Sequence, residues 1–341
     1  MNLNLEHIYQ TLQTQFGSRV RCHESLATHC AFAVGGLADI WVSLETSQEV
    51  GKLVNLCAEQ RCPLLLVGGG RNMLFADEGV RGVVAQMNTH RYVLEDQGDH
   101  TALLTADAGV HWSTLLEDLL TRGWGGLEFG AGIPGTLGGG IVSNVRAYQY
   151  SLSQLVESID VLDARGSNHA DEGDFAPAVM RHYLQNELDF GYRHSRFRTE
   201  RSIRMNDLGE FIFPLRGLIE PGEIILQVVL RLHQQSPQQL KNQYAHYLQT
   251  RHGVNPDFPR TGPVFKDSSE YRPGDLIKRA GLAGRRVGNA QIMEQNANYI
   301  ANLGEATTKD IGTLIIEAYR SVFRQFGISL GLNIDLQGEW Q

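Results

Sequence analysis

Residues 63–75 read PLLLVGGGRNMLF, and residues 126–144 read GLEFGAGIPGTLGGGIVSN. In the first stretch an apolar strand, Pro63 to Val67, runs straight into Gly68, Gly69 and Gly70. Glycine reaches backbone angles that other residues avoid and leaves N–H groups open to an anion. Such a loop can cradle a pyrophosphate, or it can simply turn the chain at a strand end. It is not a Walker loop, because no Gly-Lys followed by Ser or Thr appears. Nor is it the glycine fingerprint of a Rossmann unit, since Asn72, Met73 and Leu74 stand where the third glycine and the helix belong. The second stretch is richer in glycine than packing needs. Pro134 sets one turn, and Gly138, Gly139 and Gly140 allow close approach of a ligand or another backbone. Two such loops in one chain fit a large, flat, phosphorylated cofactor held between two lobes.

Working outward, Leu5, Ile8, Tyr9, Leu12 and Phe16 have the spacing of an amphipathic helix over 5–16. Residues 39–43 and 80–84 read as strands, with a helix over 46–61 capped by Thr46 or Ser47. A second helix covers 112–122 and stops before Gly123. Residues 157–163 and 223–232 alternate as strands do. Helices are predicted over 237–251 and over 308–326, the latter capped near Thr307 or Thr308, and a final strand over 328–336. The polar stretches 165–185 and 198–211 read as irregular surface insertions. Strands and helices alternate without the regular repeat of a doubly wound fold, so the expected class is α+β in several lobes.

A length of 341 residues suits two or three packed domains. The 42% hydrophobic and 20% charged content is that of a globular enzyme. A net charge of −8 without a long basic run argues against nucleic acid and against an anionic membrane as partner. Cys22, Cys30, Cys57 and Cys62 form no CxxC pair, so neither zinc nor a disulfide scaffold is expected. The N-terminus lacks the pattern of a signal peptide and no long apolar run occurs, which makes a cytoplasmic location the default expectation. The histidines are scattered, with no metal-binding pair and no nucleophile elbow.

Several segments together resemble the UDP-N-acetylenolpyruvoylglucosamine reductases, also called UDP-N-acetylmuramate dehydrogenases (MurB). They are AFAVGGLAD (31–39), LVGGGRNMLFADEGVRGVV (66–84) and the 126–144 stretch. DFGYRHSRF (189–197), TGPVFKD (261–267), LIKRAGLAGRRVGNAQI (276–292) and NANYIAN (296–302) follow in order. The resemblance implies an FAD-dependent oxidoreductase with a two-lobed FAD-binding unit of the vanillyl-alcohol-oxidase/PCMH type and a C-terminal substrate lobe. The lobes would span 1–90, 91–235 and 236–341. FAD would be held by Gly68, Gly69, Gly70, Arg71, Asn72, Gly132, Ile133, Pro134, Gly135, Thr136 and Gly139, with Asn144 nearby. In the family NADPH reduces the flavin, which passes hydride to the enolpyruvyl double bond of a UDP-linked sugar. Arg193 matches the arginine that acts on the substrate carboxylate, and Tyr148 and Lys266 are retained as substrate contacts.

Elsewhere the chain departs from the family. Pro263 occupies the position of the serine that donates a proton, and proline has neither a side-chain proton nor a backbone N–H. Asn333 occupies the position of a C-terminal glutamate, and Asp335 that of a following arginine. Asp267 stands for an asparagine, Arg71 for a serine, and Arg146 and Gln149 for glycines. Three readings stay open: the family reductase itself, a flavoenzyme with altered chemistry in a specialised pathway, and a non-catalytic flavin or nucleotide-sugar binder.

Overall fold

The computed structural model describes residues 5–169, 176–199, 203–206, 208–252 and 259–340. Two sheets and a C-terminal lobe meet around the glycine loops. The first sheet runs Val20–Ser25, Leu37–Leu44, Val80–Met87, Leu64–Val67 and Ile219–Glu220 in spatial order. Its first pair is antiparallel and the rest are parallel. Parallel strands are covered on both faces, which is why Leu64–Val67 is buried at every position. Ile40, Val42, Leu64, Leu66 and Val83 pack with the helices Leu5–Phe16 and Ser47–Glu59. Trp41, Leu65, Val67 and Val84 point the other way, into a core shared with the C-terminal lobe. That alternation is the two-residue period of a strand. Thr46 caps the second helix, its side chain accepting from the Glu49 amide at 3.2 Å.

The second sheet is antiparallel, in the order Val179–Leu184, Val156–Asp163, Glu223–Gln234, Thr101–Asp107 and Tyr92–Asp96. The helix Trp112–Arg122, ended by Gly123 in the left-handed region, covers its inner face. In the C-terminal lobe the helix Thr308–Phe326 buries Ile311, Leu314, Ile315, Ala318 and Val322, one stripe at helical spacing. Thr307 and Asp310 form a capping box at its start. The lobes are stitched together by segments distant in sequence: Ile219–Glu220 joins the first sheet beside Leu64, and Asp335–Gln337 pairs with Met73–Phe75.

Two expectations are corrected. Only Asp335–Gln337 of the final strand pairs in a ladder. Leu330, Leu332 and Ile334 alternate inward as strand residues do, but the backbone before Asp335 finds no ladder, only a bridge from Leu332 to Phe265. The polar stretch 165–185 contains an edge strand, Val179–Leu184, whose one-sided pairing leaves Val179, Met180 and Leu184 exposed and hides the usual alternation. Within 198–211, Arg198 and Ile203 are buried rather than superficial. Residues 170–175, 200–202 and 207 of these two stretches lie outside the described residues.

Candidate active site

The strand Leu64–Val67 delivers the first glycine loop to the junction of the lobes. Gly70 has φ +62°, and a Cβ there would lie 1.9 Å from the carbonyl oxygen of His29. No other residue type fits that turn. One residue earlier the loop touches the second glycine segment, since a Cβ on Gly69 would lie 3.1 Å from Gly135 Cα. Thr136 caps the short helix Leu137–Val142, accepting from the Gly139 amide at 3.4 Å.

A cavity of about 300 Å³ lies between the loops. Gly68, Gly69, Gly70, Arg71 and Asn72 line one side, and Ile133, Pro134, Gly135, Thr136 and Gly139 the other. Among the described residues, no acceptor takes a hydrogen bond from the amides of Gly68 to Asn72. A concave run of open N–H groups, approached without side chains in the way, is suited to a diphosphate. This fits FAD on the residues present.

Gly132 and Asn144 fall outside the cavity wall. Gly132 lies beneath the stem of Arg251, whose Nε donates to the Ala131 carbonyl at 2.8 Å. Asn144 is buried; its Nδ2 donates to the Gly191 carbonyl at 2.8 Å and its Oδ1 accepts from the Ser153 amide at 3.1 Å. Ser195 Oγ donates to the Val142 carbonyl at 2.7 Å. Together these bonds bolt the 191–195 loop to the end of the glycine helix and aim Arg193 into the cavity. Arg193 Nη2 donates to the Arg146 carbonyl at 3.2 Å. Asn144, Tyr148, Asp189 and Arg193 all have positive φ, a cluster of strained backbone that the packing around it must hold.

Tyr148 stands outside the wall, half-exposed. It stacks on Tyr247 at 4.3 Å and donates to that residue's carbonyl at 3.0 Å. Lys266 is half-buried beside Arg198, and burial first, then Arg198, pushes its ammonium below the usual lysine range, with Asp335 opposing. His194 pairs with Asp189 at 3.0 Å.

Pro263, Asn333 and Asp335 close the far end. Asn333 Nδ2 donates to the Pro263 carbonyl at 2.9 Å, and its backbone amide donates to Val264 O at 2.8 Å. Arg198, 3% exposed, donates to the Asn333 carbonyl and reaches Asp335 at 3.9 Å. Asn72 Nδ2 donates to the same Asn333 carbonyl at 2.6 Å, joining the first glycine loop to this end. Arg198 escaped the sequence reading because its partner lies 135 residues away. Residues 333 and 335 face the cavity together because strand side chains repeat every second residue. Thr261 is fully buried, and its Oγ1 accepts from the Ile300 amide at 2.9 Å, away from the wall.

Residues 38–170 match the FAD binding domain, and residues 255–337 match the C-terminal domain of UDP-N-acetylenolpyruvoylglucosamine reductase. Two glycine loops facing one cavity beneath such domains define an FAD-dependent oxidoreductase of α+β fold. It has a two-lobed FAD-binding unit of the vanillyl-alcohol-oxidase/PCMH type and a MurB-type C-terminal lobe. UDP-N-acetylenolpyruvoylglucosamine reductase of Moorella thermoacetica is 32% identical over 99% of this chain and 99% of its own. UDP-N-acetylenolpyruvoylglucosamine reductase 2 of Symbiobacterium thermophilum is 31% identical over 94% of this chain and 92% of its own. The crystal structure of UDP-N-acetylenolpyruvylglucosamine reductase (MurB) from Thermus caldophilus aligns with a TM-score of 0.68 at 26% identity, covering 93% of this chain and 97% of that one. The chain belongs to the UDP-N-acetylenolpyruvoylglucosamine reductase family. Among the described residues, no helix is long and apolar enough to cross a membrane.

Proposed function

We propose that this FAD-dependent oxidoreductase acts on a small anionic substrate other than the enolpyruvyl UDP-sugar of its family, by a route that does not use the proton donor of its relatives. The observation that carries the reading is the far wall of the cavity. Pro263 lines it and offers no proton. Asn333 beside it holds its amide against the Pro263 carbonyl, and a carboxamide relays no proton near neutral pH. Thr261 is turned to Ile300 and does not substitute.

FAD, when bound between the glycine loops, supplies two-electron hydride chemistry. Gly68 to Asn72 would hold its diphosphate through backbone N–H groups, and Ile133 to Thr136 would close over it. Arg193 presents a fixed cation to a substrate carboxylate and stabilises charge that builds there. Arg198 and Asp335 sit at the same end, so this wall carries charge of both signs. NADPH as electron donor is carried over from the family, whereas the family's UDP-linked sugar is the substrate on the second reading below, and the same assay tests both.

One observation favours a second reading, the family reductase itself: identity of about 30% extends over nearly the whole of each relative. The deciding experiment reduces the bound flavin anaerobically with NADPH, then adds UDP-N-acetylglucosamine enolpyruvate. On the proposal the flavin stays reduced. Rapid return of the oxidised-flavin absorbance, with UDP-N-acetylmuramate formed, would refute the proposal in favour of the reductase.

A further inference from the structure

Arg71 stands at the seam between the glycine loops. A Cβ on Gly135 would lie 3.4 Å from Arg71 Cγ, and one on Gly69 would lie 3.7 Å from the same atom. The arginine stem is therefore laid across both loops, and it lines the cavity. Among the described residues, no carboxylate lies within 4 Å of its guanidinium and no hydrogen bond holds it. The other arginines of the cavity are engaged: Arg193 with the Arg146 carbonyl, Arg198 with Asn333 and Asp335. A planar five-donor cation without an internal acceptor, next to a run of open amides, matches a pair of phosphate groups in charge and in geometry.

We propose that Arg71 is a direct anchor for the FAD diphosphate, adding a side-chain cation to a cradle otherwise built from backbone N–H groups. The proposal rests on FAD being the cofactor of this cavity. It assigns Arg71 to the cofactor rather than to the substrate, whose end of the cavity is defined by Arg193 and Asn333. Two consequences follow from the chemistry. FAD uptake gains a salt dependence, because an exposed ion pair is screened. Binding of a flavin without phosphate is indifferent to the charge at position 71.

The test uses the full chain stripped of flavin, titrated with FAD and separately with riboflavin, and followed by quenching of flavin fluorescence. The variants are Arg71→Met, which keeps the stem over Gly135 and removes the charge, and Arg71→Lys. Arg71→Met is expected to weaken FAD binding roughly ten- to hundred-fold, the range of a charge-assisted contact. It should also flatten the loss of affinity between about 0.05 M and about 0.5 M salt. Riboflavin affinity should stay unchanged, and Arg71→Lys should recover part of the FAD affinity. Unchanged FAD affinity in Arg71→Met overturns the proposal. So does equal weakening of FAD and riboflavin, which would make Arg71 a packing residue. A wild-type chain that takes up no FAD sinks the cofactor assignment itself, and the proposal with it.

Discussion

Replacing Asp163 by Asn is expected to weaken the wall that carries the cavity, by an amount that depends on pH. Asp163 ends the strand Val156–Asp163 and is buried opposite Glu223 in the neighbouring strand. It accepts from Arg165 Nε at 2.9 Å, Arg165 Nη2 at 2.8 Å and Arg181 Nε at 3.0 Å. Glu223 binds Arg196 at 3.1 Å and accepts from the Tyr183 hydroxyl at 2.6 Å. Glu223, Ile224 and Ile225 line the cavity, so this network holds one side of the cofactor site in place. The Arg165 side chain, opposed by burial and helped by the Arg165 amide and Arg181, lowers the Asp163 carboxyl from 3.8 to about 2. At about 1.36 kcal/mol per tenfold change in proton affinity, that gap corresponds to roughly 2 kcal/mol. The folded value lies below the unfolded one, so the stabilisation is complete above the unfolded value near pH 4 and is lost as pH falls through about 2. Urea unfolding of wild type and Asp163→Asn, followed by tryptophan fluorescence, measures it. The expected gap is about 2 kcal/mol at neutral pH, nearly the same at about pH 5, and roughly half of that at about pH 3. A neutral-pH gap below about 0.5 kcal/mol would refute the reasoning. A gap that stays constant down to pH 3 would do the same, because it would mark a steric effect of Asn rather than a lost charge.

Two further outcomes are expected. Gly70→Ala would place its Cβ 1.9 Å from the His29 carbonyl oxygen, so the loop must shift and the purified variant should lack the flavin absorbance of wild type; a fully yellow variant contradicts the cradle geometry. Asn298→Ala would remove the side chain that accepts from the Phe265 amide and donates to the Phe265 carbonyl, both at 2.9 Å and buried. Leaving both groups unpaired costs about 2–5 kcal/mol, so its melting temperature should fall by several degrees, and an unchanged value would show that the Pro263–Phe265 segment does not depend on Asn298.

Much of the framework was legible along the chain because its causes are local. The helix Leu5–Phe16 follows from apolar spacing alone, and Thr46 and Thr307 mark their helix starts because a capping oxygen acts within three residues. Strand Leu64–Val67 and the glycines after it were readable for the same reason. The strands Val20–Ser25 and Tyr92–Asp96 were not. Each sits at the edge of a sheet with exposed positions, so its sequence lacks the strict alternation that a half-buried strand shows.

The sequence by itself determined that two glycine loops exist and that they suit a phosphorylated cofactor, and its resemblance to the family implied that Pro263 and Asn333 stand where proton-transfer groups are expected. Only the tertiary structure decided that those two residues touch, that Thr261 turns away from them, and that Arg198 reaches Asn333 and Asp335. It also decided that Asn144 and Gly132 fall outside the cavity wall while Arg71 lies across both of its loops. The reason is physical: a glycine's backbone freedom or a proline's missing N–H belongs to one residue, whereas a contact across 135 residues exists only after distant strands have packed and brought their side chains to one face.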